Sequence, residues 1–475
     1  MNPLEEELVD APEVREGEYG TRVVAVEPGG AEFIPLEDRH GRPRQLFLTW
    51  ASPNFEFATV FVGVIAVAFF GMTLPQAVAA IVLGTVLGSL THGVLSARGP
   101  AFGVPQMVLS RISFGYRGNI LPAGLNAVVA GIGWFAVNSV SGAFALSSLT
   151  HLPNALCLLI IVAVQLLVAF FGHNLVHAFE RYAFPFLALV FVIASVIVLS
   201  KTQPGSAQGG GGIGGFLLTV GATFGYAAGW NPYASDYTRY FAPHTNKRAT
   251  GLWAGAGVAV SCILLEVVGA AAATIPGANW DDPTSAFTHD LPSAVADLTL
   301  LAITIGAVAA NVLNIYSGAL SFTTLGIKLP VRASRALVAV VFGLVGLVVA
   351  LSGLQDAGAK YENFLLVIAY WIGPWLAVFL TDQFLRRGHH VGDLLFDHRH
   401  RNWAGPVAMT VGMVVSIWLF SNQTEYVGVV PAHFASVGDL TFEVGFVISA
   451  VLYALLFRAS RTAGSSTPVR EQVRA

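Results

Sequence analysis

Trp134 and Asn138 stand four residues apart in a long apolar run, so on a helix they share one face. An indole beside a carboxamide can cradle a flat heterocycle: the ring stacks, and the amide donates and accepts in its plane. Trp230, in another apolar run, could form the opposite wall. Each residue has a plainer reading too, as a packing or interfacial tryptophan, or as an interhelical amide bond. Asn311 and Asn314, three apart and followed by Tyr316 and Ser317, pose the same choice. An asparagine in an apolar helix is costly without a partner, and a ligand or a neighbouring helix would serve equally.

Glu56 and Glu266 are the carboxylates placed firmly inside apolar runs. Intramembrane acids usually face a bundle interior, where they can load and release a proton. Glu56 closes the stretch Trp50-Ala51-Ser52-Pro53-Asn54-Phe55-Glu56 and is the preferred coupling residue, with Asn54 beside it and Glu266 second. A structural hydrogen bond is the competing role for each. Asp236 beside Arg239 reads as an ion pair or gate. His173 and His177 have the spacing of helical metal ligands but no third ligand. The histidine-rich segment 389–400 reads as a solvated loop, and Cys157 and Cys262, both in apolar runs, as packing residues. No phosphate-binding loop, nucleophile elbow or zinc-protease motif occurs in the sequence. No convergent set of nucleophile, base or metal ligands can be assembled, so neither catalysis nor a cofactor is expected.

Elements that could position these groups follow from hydropathy. The 475 residues are 55% hydrophobic and 11% charged, against the about 25% charged of a soluble globule, so lipid must solvate much of the surface. Apolar runs of about 20 residues recur without the polar alternation of a barrel strand, which predicts an all-α polytopic membrane protein. About twelve spans are expected, near 47–71, 74–97, 119–148, 154–172, 182–200, 213–234, 251–274, 293–323, 334–352, 361–381, 404–420 and 440–457. The half-apolar stretch from Phe102 to Phe114 is expected to lie along the interface. With the N-terminus inside, every basic residue except Lys201 and Lys360 falls on the cytoplasmic side, as the positive-inside rule requires for cytoplasmic termini. The acidic N-terminal segment has no apolar stretch behind a basic start and reads as a soluble tail rather than a signal peptide. Nothing resembles a basic stripe for nucleic acid, and no pattern sets an oligomeric state; a monomer would suffice.

Two runs carry interruptions that an anchor would not need: Ser52-Pro53-Asn54 in the first, and Gly229-Trp230-Asn231-Pro232 in the sixth. Proline removes a backbone donor and glycine loosens a helix. Backbone groups freed inside a bilayer survive where they line a polar cavity. Breaks five spans apart fit two inverted five-helix repeats with a solute held between them. Prolines that merely kink helix ends are the alternative. The predicted organisation is a tail (1–46), a ten-helix core (47–381, repeats 47–200 and 213–381), a loop (382–403), two further spans (404–457) and a second tail (458–475).

The chain resembles the nucleobase–cation symporter-1 family, in particular its purine–cytosine permease branch. The resemblance rests on Gly99-Pro100…Gly103-Val104-Pro105-Gln106…Arg111…Phe114-Gly115…Arg117-Gly118, Trp134…Asn138, the run Gly229 to Arg239, Asn311…Asn314-Ile315-Tyr316-Ser317, and Asp382…Arg386-Arg387-Gly388. It implies the leucine-transporter-type fold and secondary transport of cytosine, purines or related heterocycles by alternating access. Trp134 and Trp230 would stack the ring, Asn138 and Asn311 would bond its edge, and Ser52 would lie near the coupling site. A hydantoin, allantoin, another pyrimidine derivative or an amino acid is the alternative solute. A passive channel or an intramembrane enzyme is the alternative class. Where sodium-coupled relatives carry adjacent hydroxyls before the asparagine matching Asn311, this chain has Ile305 and Gly306, with Thr304 just outside. That departure, with Glu56, favours H+ over Na+ as the coupling ion.

Overall fold

The computed structural model describes residues 30–170, 173–206, 209–326 and 331–465, with backbone alone for 168–182, 312, 331–339 and 461–465. The acidic start of the N-terminal tail, the end of the C-terminal tail and the side chains of His173 and His177 lie outside the described residues.

Every described segment predicted to span is helical. In chain order the main helices are α1 (Gln45–Ala51), α2 (Phe57–Ala68), α3 (Leu74–Ser96), α4 (Ile120–Val128), α5 (Phe135–Thr150), α6 (Asn154–Phe170), α7 (His173–Lys201), α8 (Gly212–Ala228), α9 (Ala234–Thr238), α10 (Lys247–Ala272), α11 (Ser293–Thr323), α12 (Val331–Gly353), α13 (Ala357–Leu385), α14 (Ala404–Phe420) and α15 (Thr441–Ser465). Eight helices among the described residues are long and apolar enough to cross a bilayer, and α1 with α2, bent by 62° at their junction, makes a ninth span. Three shorter apolar helices, Asn154–Leu167, Val340–Gly353 and Ala404–Phe420, stand at other predicted positions.

Two packed groups surround the break regions. In the first, the bundle, α3 packs on α8 and α10, and α10 also on α1 and α2. In the second, the scaffold, α5, α6, α11 and α12 pack on one another. α13, α14 and α15 form a further layer, α13 also meeting α8.

The two predicted interruptions differ in kind. After α1 the chain makes a 3₁₀ turn, Ser52–Asn54, and Glu56 is extended before α2 begins. In the sixth span, α8 loosens through Gly229 into a 3₁₀ turn, Asn231–Tyr233, and α9 continues, so that Gly212–Thr238 remains one span. Pro232, lacking an N–H, sits within that turn, where the α-helical ladder is already relaxed.

The stretch 102–114 corrects the interfacial expectation. Its short helices, Gln106–Leu109 and Arg111–Phe114, are buried in protein. Arg111 is 3% exposed and its two terminal nitrogens donate to the carbonyls of Leu395 (3.2 Å) and Thr324 (3.1 Å), so protein carbonyls hold a guanidinium that composition alone would send to water.

Candidate functional site

α5 and α11 meet through amides. Asn138 Nδ2 donates to Asn311 Oδ1 at 3.1 Å, and Asn311 Nδ2 donates to the Phe135 carbonyl at 2.9 Å and Ser139 Oγ at 3.2 Å. Asn314 Nδ2 approaches the same Asn311 oxygen at 3.4 Å, and its own Oδ1 accepts from Tyr233 at 3.3 Å. Ser139 donates in turn to Gln165 Oε1 at 2.9 Å, and Gln165 Nε2 to the Ala307 carbonyl at 3.2 Å. Asn311 is therefore the hub, held from two sides. Asn138 Oδ1 is buried and meets no donor among the described residues. A cluster with one unfilled acceptor can take an N–H from something flat lying against it.

Trp134 stands one turn before Asn138, at the end of a π-helical segment, Val129–Trp134, inserted between α4 and α5. Such a wide turn rotates the helix after it relative to the helix before it, and wide turns recur at functional sites. The Trp134 indole meets Tyr226 (5.4 Å), Phe364 (5.2 Å) and Tyr361 (6.4 Å) edge to face. A Cβ at Gly229 would come 3.2 Å from Trp134 Cζ2, so the indole rests against the loosened part of the sixth span. Tyr361 and Phe364 also line a cavity of about 220 Å³ with Phe57, Phe61 and Lys360.

The first break is tied to the sixth span by side chains. Trp230 Nε1 donates to Asn54 Oδ1 at 2.9 Å, and Asn54 Nδ2 donates to the Trp50 carbonyl (2.6 Å) and to Ser261 Oγ (3.1 Å). Trp230 thus spends its indole N–H within the protein, while its ring meets Trp50 and Tyr233 at their edges. Tyr226 OH donates to Glu56 Oε1 at 3.1 Å and lies 2.5 Å from the Thr59 hydroxyl. Ser52 and Glu56 are 2% and 3% exposed, both at the junction of α1 and α2. Glu266, fully buried in α10, accepts from Thr85 at 2.6 Å on the α3 side, and no described hydrogen bond joins it to the amide cluster. Asp236 accepts from the Gln106 backbone N–H at 2.9 Å, while Arg239 donates to Gly30 O (2.9 Å) and Tyr316 OH (3.2 Å). Those bonds join the C-terminal end of the sixth span to its neighbours, a wider role than an isolated ion pair.

Sequence reasoning passed over Trp50, Tyr226, Tyr233, Ser139 and Gln165. One signal could have found some of them: Trp50–Asn54 repeats the Trp134–Asn138 spacing, and Tyr226 is four residues before Trp230. Exposed His390 and Asp393 approach at 3.4 Å, and among the described residues no group of three His, Cys, Asp or Glu could hold a metal.

Two packed helix groups meeting at an interrupted pair of spans, with polar side chains converging there, define a multi-pass membrane transporter of the inverted-repeat class. The structure of Mhp1, a nucleobase-cation-symport-1 family transporter, in a closed conformation with bromovinylhydantoin bound, shares this fold: TM-score 0.71, covering 92% of this chain and 96% of that one at 21% identity. By sequence, the chain is 31% identical over 452 residues to the putative purine-cytosine permease YxlA of Bacillus subtilis, covering 91% of this chain and 96% of that protein. It is 30% identical over 456 residues to the purine-cytosine permease fcyB of Emericella nidulans, covering 91% and 88%. Residues 33–445 match the family described as permeases for cytosine/purines, uracil, thiamine and allantoin, and the chain belongs to that family. It is a transporter and not an enzyme.

Proposed function

We propose that this permease imports a nucleobase of cytosine or purine type, in symport with H+, by alternating access across the cell membrane. In this reading twelve spans cross the bilayer with both termini in the cytoplasm. The ten-helix core is 47–381 and the two further spans lie within 404–457. The observation that carries it is the amide cluster of Asn138 and Asn311 beside Trp134, with Asn138 Oδ1 buried and unfilled. A nucleobase presents N–H donors and ring acceptors along one edge and a π-face at right angles to it, which matches an amide pair beside an indole. Trp134 stacks the ring, Asn138 and Asn311 read its edge, and Trp230, anchored through Asn54, forms the opposite wall. Asn314 supports Asn311. The purine–cytosine names of the two relatives point to the same solutes. The hydantoin held by Mhp1 makes a five-membered heterocycle the second reading.

Coupling is assigned to the first break, with Ser52, Asn54 and Glu56 around it and Glu266 as the reserve carboxylate. Gly306 of α11 packs onto that break: a Cβ there would lie 3.0 Å from the Phe55 carbonyl and 3.3 Å from Glu56 Cβ. A hydroxyl-bearing residue would crowd Glu56 at that point, and Thr304 Oγ1 is turned back to the Leu300 carbonyl at 2.9 Å. A site with a carboxylate, and with Ile305 and Gly306 rather than a consecutive pair of hydroxyl residues on α11, suits a proton better than a sodium ion, which needs several oxygen ligands.

The test is uptake by the purified protein in liposomes, with labelled cytosine, adenine, hypoxanthine and uracil under separate proton and sodium gradients and hydantoin as competitor. We expect accumulation of at least one base driven by the proton gradient. Accumulation under sodium alone removes the coupling assignment; competition by hydantoin without uptake of any base removes the solute class.

A further inference from the structure

A groove of about 700 Å³ runs between α3 and α10 on the outside of the bundle, away from the amide cluster. Its sides are apolar and face outward: Leu90, Val94 and Leu252 are 62%, 50% and 70% exposed. Its floor is backbone, because the helices cross through glycines. A Cβ on Gly93 would lie 2.6 Å from the Gly251 carbonyl, and one on Gly255 would lie 2.9 Å from the Ser89 carbonyl. Small residues at the crossing leave a trough beside it that neither helix can fill. Ser89, 3% exposed, lines the trough with a hydroxyl that has no hydrogen-bond partner among the described residues.

One end of the groove is cationic. Arg98 from the end of α3 and Lys247 and Arg248 from the start of α10 line it, and no carboxylate is among its lining residues. Lys247 and Arg248 are exposed and make no ion pair among the described residues. They also open a helix of 26 residues, whose N-terminal dipole adds positive potential. Trp253, 41% exposed two turns further on, is placed as an interfacial aromatic.

We propose that this groove binds one anionic phospholipid, its phosphate at Arg98, Lys247 and Arg248 and an acyl chain in the trough below. Charge complementarity selects the occupant. A neutral lipid would leave Lys247 and Arg248 without a counter-charge, and a soluble anion would leave the apolar trough open. Basic pockets between membrane helices hold anionic headgroups on these terms. Because α3 and α10 both belong to the bundle, the bound lipid clips one body of the transporter to the membrane without touching the solute site.

Native mass spectrometry of the full-length protein in detergent tests this, with phosphatidylglycerol and phosphatidylcholine of equal chain length offered together. We expect one phosphatidylglycerol retained in preference to phosphatidylcholine, and the Lys247→Gln/Arg248→Gln variant to lower that preference by roughly 30-fold. The Arg399→Gln/Arg401→Gln variant, with the same change in net charge elsewhere, keeps it. Ala256→Phe fills the trough, keeps the cations and loses the bound lipid, while its melting temperature in lipid-free detergent shows that it is folded. Equal retention of the two lipids by the wild type, unchanged preference in Lys247→Gln/Arg248→Gln, or displacement of the lipid by inorganic phosphate would each overturn the assignment.

Discussion

The bundle and the scaffold are both built from apolar helices rich in glycine, yet they are held together differently. In the bundle, backbone meets backbone: a Cβ on Gly63 would fall 1.6 Å from the Glu266 carbonyl oxygen, and one on Gly269 would fall 1.7 Å from that of Val60. In the scaffold, glycine more often makes room for a side chain, such as Leu166 at Gly343 or, at two places, a ring. The Cβ of an alanine at Gly131 would meet Phe342 at 2.0 Å, and at Gly346 it would meet Phe135 at 2.4 Å. The polar pairings divide in the same way. Asn54–Trp230, Glu56–Tyr226 and Thr85–Glu266 join bundle helices, whereas Asn138–Asn311 and Ser139–Gln165 join scaffold helices. Across the boundary lie the edge of Trp134 on Tyr226, the long Tyr233–Asn314 bond and, near the charged end, Arg239 on Tyr316. Two bodies knitted internally and joined loosely can turn against each other without repacking either one, which is what alternating access needs.

The largest effect should come from one methyl placed in each body. Gly269→Ala drives a Cβ into fixed backbone, so α2 and α10 must part; we expect a loss of about 3 kcal/mol and a marked fall in the yield of monodisperse protein. Gly346→Ala meets a phenylalanine side chain that can swing aside, and should cost about 1 kcal/mol. Thermal unfolding of the two purified variants measures the contrast, and equal losses would erase the difference in how the bodies are built.

Trp134→Ala should act next most strongly on the solute. Loss of a stacking face costs about 1–3 kcal/mol per base, so the KM for a transported base should rise by roughly 5- to 150-fold. The unfolding temperature should fall as well, because Trp134 is 6% exposed and packs on three rings, so KM is compared on the folded, monodisperse fraction. An unchanged KM would mean that the solute does not stack there, as expected for an amino acid.

Much of this is legible in the sequence because it lives within single helices. Span positions follow from runs of apolar residues, and Trp134 with Asn138 follows from a spacing of four. The hidden part lies between helices. Asn54 and Trp230 are 176 residues apart, and nothing local says that one takes the other's N–H. The π-helical turn before Trp134 rests on tertiary space that Gly131 yields to Phe342, which no propensity encodes. The stretch 102–114 misleads for a related reason: a half-apolar segment with one arginine has the same composition whether water or the carbonyls of Leu395 and Thr324 satisfy that arginine. The bend of the first span and the milder loosening of the sixth also look alike in sequence, since proline and asparagine mark both. The extended Glu56 between Asn54 and α2 separates them.

The smallest effect tests the boundary itself. Tyr233 OH reaches Asn314 Oδ1 at 3.3 Å, from the loosened turn of the bundle's sixth span to α11 of the scaffold. Tyr233→Phe removes that link and keeps the ring against Trp230. A net hydrogen bond contributes about 1 kcal/mol, and in a protein of this size the melting temperature should fall by no more than about 2 °C. Under the proposed cycle, the bond must break whenever the bodies turn, so its loss should appear in turnover, changed by up to about 5-fold, with the KM for solute held within about 2-fold. Thr91→Val is the matched control inside one body, where Asn231 Nδ2 of the sixth span donates to Thr91 Oγ1 of α3 at 2.7 Å and that bond persists through the cycle; its loss should change turnover less than Tyr233→Phe does. The reverse pattern would place the moving boundary elsewhere, between the sixth span and α3 rather than between bundle and scaffold.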